Sequence, residues 1–148
     1  MLTRFLALFL LALSPSLLCG QQRTLMHCFT FTEIPEATAA DWDAFRKATE
    51  ELPSKIDGLL RVWHGKLARP LSLLQTDPPL DAESQKKLRE GATVPAQVKT
   101  IRRQYGVCME FRDQDALKTY AKHPAHDAWM KVYEKVRVYG TTTFDILP

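Results

Sequence analysis

The chain has 148 residues, of which 45% are hydrophobic and 25% are charged, and its formal net charge is +3. A charge this small, spread along the chain, gives no reason to expect nucleic acid as a partner, because such a partner needs a clustered basic surface. Three tryptophans and seven phenylalanines suit a packed globular core and exclude a disordered chain.

The first 20 residues have the pattern of a secretory signal peptide. Arg4 gives a basic start, and the apolar run Phe5 to Leu13 follows it. This run is shorter than the roughly 20 apolar residues that span a bilayer, and no later run is long enough, so we expect no membrane span. We expect cleavage after Gly20 and export to the periplasm or the extracellular space. A lipid anchor on Cys19 is the less favoured alternative, because the bulky Leu18 before it suits lipoprotein processing poorly.

The first structural element after the leader is a predicted strand, "LMHCFTFTE". Its residues alternate, with His27, Phe29 and Phe31 on one side and Met26 and Cys28 on the other. Such alternation with period two indicates a strand whose two faces meet different surroundings.

A helix is predicted next, over "AADWDAFRKATEEL". Trp42, Phe45 and Leu52 recur at helical spacing and form one apolar stripe. Pro53 and Gly58 are expected to end the helix.

Two further strands are predicted at "LLRVWHGK" and "YGVCMEF". In the first, Leu60, Val62 and His64 oppose Leu59, Arg61 and Trp63; in the second, one face carries Tyr105, Val107, Met109 and Phe111. The connection between them, residues 66–101, is long for this position and is treated as an insertion. The part "DAESQKKLREG" predicts a short solvated helix. The insertion is interpreted as a lid, as a dimer arm or, with at least equal weight, as a passive addition.

The second main helix is predicted to begin at the cap Asp113 and to end near Lys122 or His123, because Pro124 disfavours helical geometry in the residue before it. A further helical piece carries Trp129 and Tyr133, and "TTTFDIL" is the last predicted strand. The order strand, helix, strand, strand, helix, strand predicts an α+β fold. We expect a ferredoxin-like, four-stranded antiparallel sheet with its helices on one face.

The other face of that sheet would be open and apolar, with Met26, Cys28, Cys108 and Ile146 on it. Such a face usually finds a partner, so we expect a homodimer that packs sheet against sheet. A disulfide between the two cysteines is one alternative, but we favour two small buried thiols, because two cysteines have no framework spacing.

Three segments, "HCFTF", "VCMEFRDQDALKTYAKHPAHDAW" and "TFDIL", resemble the stress-responsive α/β-barrel family, called Dabb. The core "YxxHPxH", Tyr120 to His126, is the most specific part. The resemblance implies dimers in which two ferredoxin-like units form a barrel. Members include stress-induced proteins without an assigned reaction and a plant cyclase, olivetolic acid cyclase, that closes a polyketide ring by aldol condensation.

Matched to that cyclase residue by residue, the resemblance implies His126 as a catalytic base and Tyr120 as its partner, while His27 matches the histidine of the first strand. Tyr105 stands where the cyclase has a second histidine in the third strand, which is a departure from its pattern. A histidine titrates near neutrality and suits a general base. The break at His123-Pro124 is needed to bring His126 back toward Tyr120.

The surface between sheet and helices is predicted to form a ligand pocket lined by His27, Phe29, Trp42, Phe45, Tyr105, Tyr120, His126 and Trp129. A small aromatic or polyketide-like molecule suits such a surface. The main hypothesis is a stress-associated module with a binding or structural role, and the alternative is a cofactor-free cyclase or lyase. No cofactor is implied.

For the histidines we favour a structural interpretation, in which His123 satisfies the last carbonyls of one helix and His126 satisfies backbone groups in the next turn. Their spacing is that of half a zinc site, and two ligands do not make a site, so no metal is expected. His64 has no partner that the sequence identifies.

Overall fold

The structure is a computed structural model, and it describes residues 24–147. The predicted leader and Cys19 lie outside the described residues. The strands are β1 (Leu25–Glu33), β2 (Leu59–Thr76), β3 (Val98–Phe111) and β4 (Arg137–Ile146). The helices are α1 (Ala39–Lys55), α2 (Ala82–Arg89), α3 (Gln114–Tyr120) and α4 (Pro124–Tyr133).

The four strands form one antiparallel sheet in the order β2-β3-β1-β4. This order and the single layer of helices confirm the predicted ferredoxin-like α+β fold. Alternation along β1 and β3 places apolar side chains under the helices, as the sequence indicated. The fully buried core includes Phe31, Phe45, Met109, Phe111 and Val136.

The first helix begins at a capping box, in which Thr38 and Asp41 each accept a backbone N–H of the other. It continues through Pro53 to Lys55, so the prediction that Pro53 ends it was wrong. Proline removes one N–H only, and the next turn still closes because the N–H of Ile56 donates to the Leu52 carbonyl at 3.1 Å.

The second main helix is broken into α3 and α4, as Pro124 predicted. Asp113 caps α3 by accepting the N–H of Ala116 at 2.8 Å. His123 caps α4, and its Nδ1 accepts the N–H of Ala125 at 3.1 Å. The expectation that His123 serves carbonyls was therefore wrong, because its imidazole satisfies an N–H at the start of the following helix instead.

Strands β2 and β3 are much longer than predicted, and together they form a two-stranded ribbon that we call the arm (residues 66–104). Beyond a register shift between Lys66 and Leu71, the pairing continues to Thr76 and Val98. The predicted short helix is α2, at the tip of the arm, with Asp81 as its cap. Most of the proposed insertion is therefore regular strand.

A bulge at the start of β2 changes which leucine is buried. The register shifts between Leu59 and Arg61, so Leu59 lies in the core while Leu60 is exposed. The predicted alternation, which placed Leu60 with Val62 and opposite Leu59, was wrong at this point because a bulged residue interrupts the two-residue period.

The two cysteines form a disulfide, so the preference for free thiols was wrong. Cys28 and Cys108 face each other on neighbouring antiparallel strands, with 4.2 Å between their Cα atoms. Strand register decides this proximity, and sequence spacing does not report it. On the open face, Trp63 pairs with Cys108 and Phe144 pairs with Cys28, so the disulfide lies in the middle of an apolar row across the sheet.

Candidate functional site

A cleft of about 170 Å³ lies between the helices and the β1–β4 side of the sheet. It contains five of the eight residues predicted for the pocket: His27, Phe29, Tyr120, His126 and Trp129. The other lining residues are Met130, Tyr133, Arg137, Thr141 and Thr143. The break between α3 and α4 is what turns residues from both helices toward one space.

The remaining predicted pocket residues do not line this cleft. Phe45 is completely buried, while Trp42 and Tyr105 contact each other, with ring centroids 5.0 Å apart, at a separate cavity near Lys66. The ring of Phe31 packs between, 5.2 Å from Tyr105 and 5.0 Å from Tyr133. The prediction of one continuous pocket was wrong, because large aromatic side chains fill the space between its two ends.

His126 and Tyr120 meet in the cleft, with ring centroids 4.6 Å apart and planes 65° apart. The Nδ1 atom of His126 is buried and has no hydrogen-bond partner among residues 24–147. The nearest carboxylate oxygen, on Asp127, is 3.9 Å away. The structural interpretation, in which His126 satisfies backbone groups, therefore fails for this nitrogen.

The surroundings hold both side chains in their neutral forms. Burial lowers the pKa of His126, His27 acts in the same direction, and Asp127 opposes them. Burial raises the pKa of Tyr120 well above its ordinary value. Near pH 7, His126 is therefore a free base and Tyr120 keeps its hydroxyl proton.

A second polar pair lies beside them, on the strands. Nδ1 of His27 lies 2.6 Å from Oδ1 of Asp145, its partner in the β1–β4 register. An ionised carboxylate only accepts, so the Nδ1–H of His27 donates, which leaves Nε2 as the acceptor when the ring is neutral. Asp145 was not predicted, because nothing local in the sequence indicates which residue of β4 lies opposite His27.

The indole of Trp129 forms a fixed wall of the cleft. Its Nε1–H donates to Oγ1 of Thr49 at 2.8 Å, and that hydroxyl donates to the carbonyl of Phe45 at 2.7 Å. Thr49 is completely buried. This chain of hydrogen bonds satisfies the buried N–H and holds the ring in one orientation.

His64 has partners that the sequence did not reveal. Its Nδ1 lies 2.9 Å from the hydroxyl of Tyr105, and its Nε2 lies 3.3 Å from Oε1 of Glu50. Tyr105 is therefore engaged away from the cleft, and burial raises the pKa of its hydroxyl. It is not a polar contact of the candidate site.

The described chain offers neither a metal cluster nor a spanning helix. Within residues 24–147, no three His, Cys, Asp or Glu side chains are grouped to hold a metal ion. Over the same residues, every helix is too short or too polar to cross a bilayer.

Comparison with known proteins gives matches in structure only. No protein-family model matches the sequence. No curated protein matches it either. Among solved structures, a Dabb family protein with a ferredoxin-like fold from Mesorhizobium loti is 19% identical, with a TM-score of 0.53 over 86% of this chain and 98% of that one.

Two other solved structures share the fold. A dimeric ferredoxin-like protein of unknown function from Bacteroides fragilis is 18% identical, with a TM-score of 0.53 over 84% of this chain and 96% of that one. A hydroxynitrile lyase from Passiflora edulis is 8% identical, with a TM-score of 0.54 over 86% and 94%. The resemblance predicted from the sequence is confirmed by these structures at the level of the fold.

Proposed function

We propose that this chain, which has the fold of a Dabb family protein, is an exported homodimeric barrel protein that binds a small, largely apolar molecule. The observation that carries the proposal is the cleft. It brings two aromatic walls, Phe29 and Trp129, together with the polar side chains of His27, Tyr120 and His126. An apolar cavity with a few converging polar groups is the usual form of a ligand site.

The size of the cleft limits the ligand. A cavity of about 150 Å³ holds benzene, whereas sites for drug-sized molecules measure about 300–1,000 Å³. At about 170 Å³ the cleft suits one aromatic ring. An extended polyketide chain is therefore a poor fit, although the sequence resemblance pointed toward one.

The open face of the sheet supports a homodimer. Trp63 and Phe144 are 46% and 49% exposed and flank the disulfide, so one chain alone leaves large aromatic surfaces in water. A second copy packed on the same face would cover them in a two-fold arrangement. The disulfide also supports an oxidising compartment, and therefore export.

Filling the cleft tests ligand binding directly. Thr143 is exposed, lines the cleft and lies opposite Phe29, so Thr143→Phe places a ring in the cleft without disturbing the core. We expect wild-type protein to bind benzyl alcohol, followed by NMR titration, and Thr143→Phe to lose that binding. Thr143→Val is the matched control and should keep it. Equal binding by all three proteins would contradict the proposal.

A second candidate function is acid–base catalysis by a cofactor-free lyase. The specific observation is that His126 has an unpaired buried nitrogen and a ring centroid 4.6 Å from that of Tyr120, while His27, which is paired with Asp145, lines the same cleft. A base here could take the hydroxyl proton of a cyanohydrin while the bond to the nitrile carbon breaks. The products are an aldehyde and cyanide, which leaves as hydrogen cyanide once protonated.

Mandelonitrile, which has one aromatic ring, is the substrate to test. Benzaldehyde release should fall about 10²-fold or more in His126→Ala if His126 is the base, and Tyr120→Phe should also lower it. His64→Gln, outside the cleft, is the matched control and should retain activity. Release that equals the uncatalysed rate in wild-type protein would exclude this reaction but leave ligand binding untouched.

A further inference from the structure

Unpaired polar atoms concentrate in the candidate cleft. Across the described residues, five buried side-chain atoms lack a hydrogen-bond partner, and three belong to residues that line the cleft. These three are Nδ1 of His126, the hydroxyl of Tyr133 and Nε of Arg137. A buried polar atom without a partner is unfavourable, so the grouping of these atoms indicates a ligand that carries a polar group.

The central group of the three is the Arg137 guanidinium. Its side chain is only 10% exposed, and it lies over the ring of Tyr133 at 4.5 Å. Within residues 24–147, the one carboxylate within 4.0 Å is that of Glu134, at 3.9 Å and 63% exposed. That contact is long and open to solvent, so it neutralises little of the charge.

A second buried arginine acts on Tyr133 from outside the cleft. Arg103 is 6% exposed and donates to the hydroxyls of Thr32 and Thr142, with no carboxylate within 4.0 Å in the described chain. Both Arg103 and Arg137 favour the ionised form of Tyr133, although burial keeps the pKa of that phenol raised. Two carboxylates lie on the neighbouring strand positions: Glu33 is opposite Arg137 in the β1–β4 register but is not within 4.0 Å of its guanidinium, and Asp145 is bound by His27.

From this arrangement we propose that the ligand of the cleft is an aromatic carboxylate with a single ring. The ring packs against Phe29 and Trp129, and the carboxylate accepts from the Nε–H of Arg137 and the hydroxyl of Tyr133. A planar guanidinium suits a carboxylate, and such charge-assisted bonds are stronger than neutral ones. The inference rests on the proposed ligand-binding function and adds the charge and the chemical class of the ligand.

Benzoate and benzyl alcohol test the inference, because they share a ring and differ in charge. Calorimetric titration of the full chain, with its disulfide intact, should show benzoate binding about tenfold tighter, or more, than benzyl alcohol. Arg137→Gln should remove this preference, and Tyr133→Phe should reduce it. Lys131→Gln removes an exposed positive charge from α4, the helix that carries Tyr133, and should change the binding of neither ligand. Added salt should weaken the binding of benzoate and leave that of benzyl alcohol unchanged.

Each outcome has a separate meaning. If both ligands bind equally and Arg137→Gln changes the affinity of neither, the proposed carboxylate group of the ligand is wrong, while the proposal that the cleft binds an aromatic ring stands. If neither ligand binds to wild-type protein, both proposals are overturned. Should Arg137→Gln fail to fold, the comparison of the two ligands and their salt dependence in wild-type protein still decides the question.

Discussion

Removing the disulfide should lower the free energy of unfolding by several kcal/mol. Cys28 and Cys108 are 80 residues apart in sequence, so the bond closes a long loop in the unfolded chain. The loop-entropy relation gives a stabilisation of about 4.5 kcal/mol at 25 °C for a loop of this length. Measured values are often smaller, about 2–4 kcal/mol, because unfolded chains keep some structure. This is a large part of the total for a domain of this size.

The assay is guanidinium unfolding followed by tryptophan fluorescence, for wild-type protein and for the double variant Cys28→Val, Cys108→Val. All samples need the same protomer concentration, because any dimer adds a concentration-dependent contribution. Reductant should bring the wild-type protein close to the double variant. The double variant itself should not respond to reductant.

Two results would refute this reasoning. Thiol labelling of the native, non-reduced protein that finds two free cysteines would show that the bond is not made. A difference of less than about 1 kcal/mol in the free energy of unfolding between oxidised wild-type protein and the double variant would show that the bond does not stabilise the fold by closing this loop.

Three further predictions follow from the site and the loops. Burial lowers the pKa of His126, so the unfolded chain binds its proton more tightly. The stability that neutral His126 gives the folded state is complete above about pH 6.5 and is lost as the pH falls toward the pKa of His126 in the folded protein. Acid should therefore destabilise His126→Gln less than wild-type protein, and an equal loss of stability in both would contradict this. Gly58→Ala should cost about 2 kcal/mol or more in denaturation experiments, because φ is 82° and a Cβ would lie 2.5 Å from that of Ala116. Gly91→Ala, with φ 85° and open space, is its control and should cost about 1 kcal/mol. Replacing residues 74–100 with Asn-Gly should leave the thermal midpoint of unfolding and ligand binding in the cleft unchanged, since the two strands of the arm pair only with each other there. A lower midpoint would assign the arm a role in the fold, and weaker binding would assign it a role in the site.

Local patterns predicted the fold well where burial alone decides the structure. Phe29 and Phe31 in β1 lie under the helices because a two-residue period is set by the pleat, and Pro124 ended α3 because it restricts the residue before it. The C-terminal end of β2 was missed because Pro70 argued against a strand. Pro70 lies where the register shifts between Lys66 and Leu71, which is a place where a strand tolerates proline.

The candidate site was predicted in part, for a related reason. A sequence motif identified Tyr120 and His126, which lie on either side of one helix break. Asp145 and Arg137 were missed, because their positions depend on how β4 pairs with β1 far away in sequence. The disulfide was missed for the same reason, since strand register alone brings its two cysteines together.

The disulfide divides the chain into a closed covalent ring, residues 28–108, and a linear tail that follows it. Of the residues that line the cleft in the described chain, Phe29 alone belongs to the ring, and His27 precedes it. The other eight lie in the tail, on α3, α4 and β4. The crosslink therefore restrains β1, β2, β3 and the arm but does not resist detachment of the tail, which carries β4. Amide hydrogens of the tail should exchange faster than those of β1 and β3, which gives a ligand a route in and out while the ring stays folded.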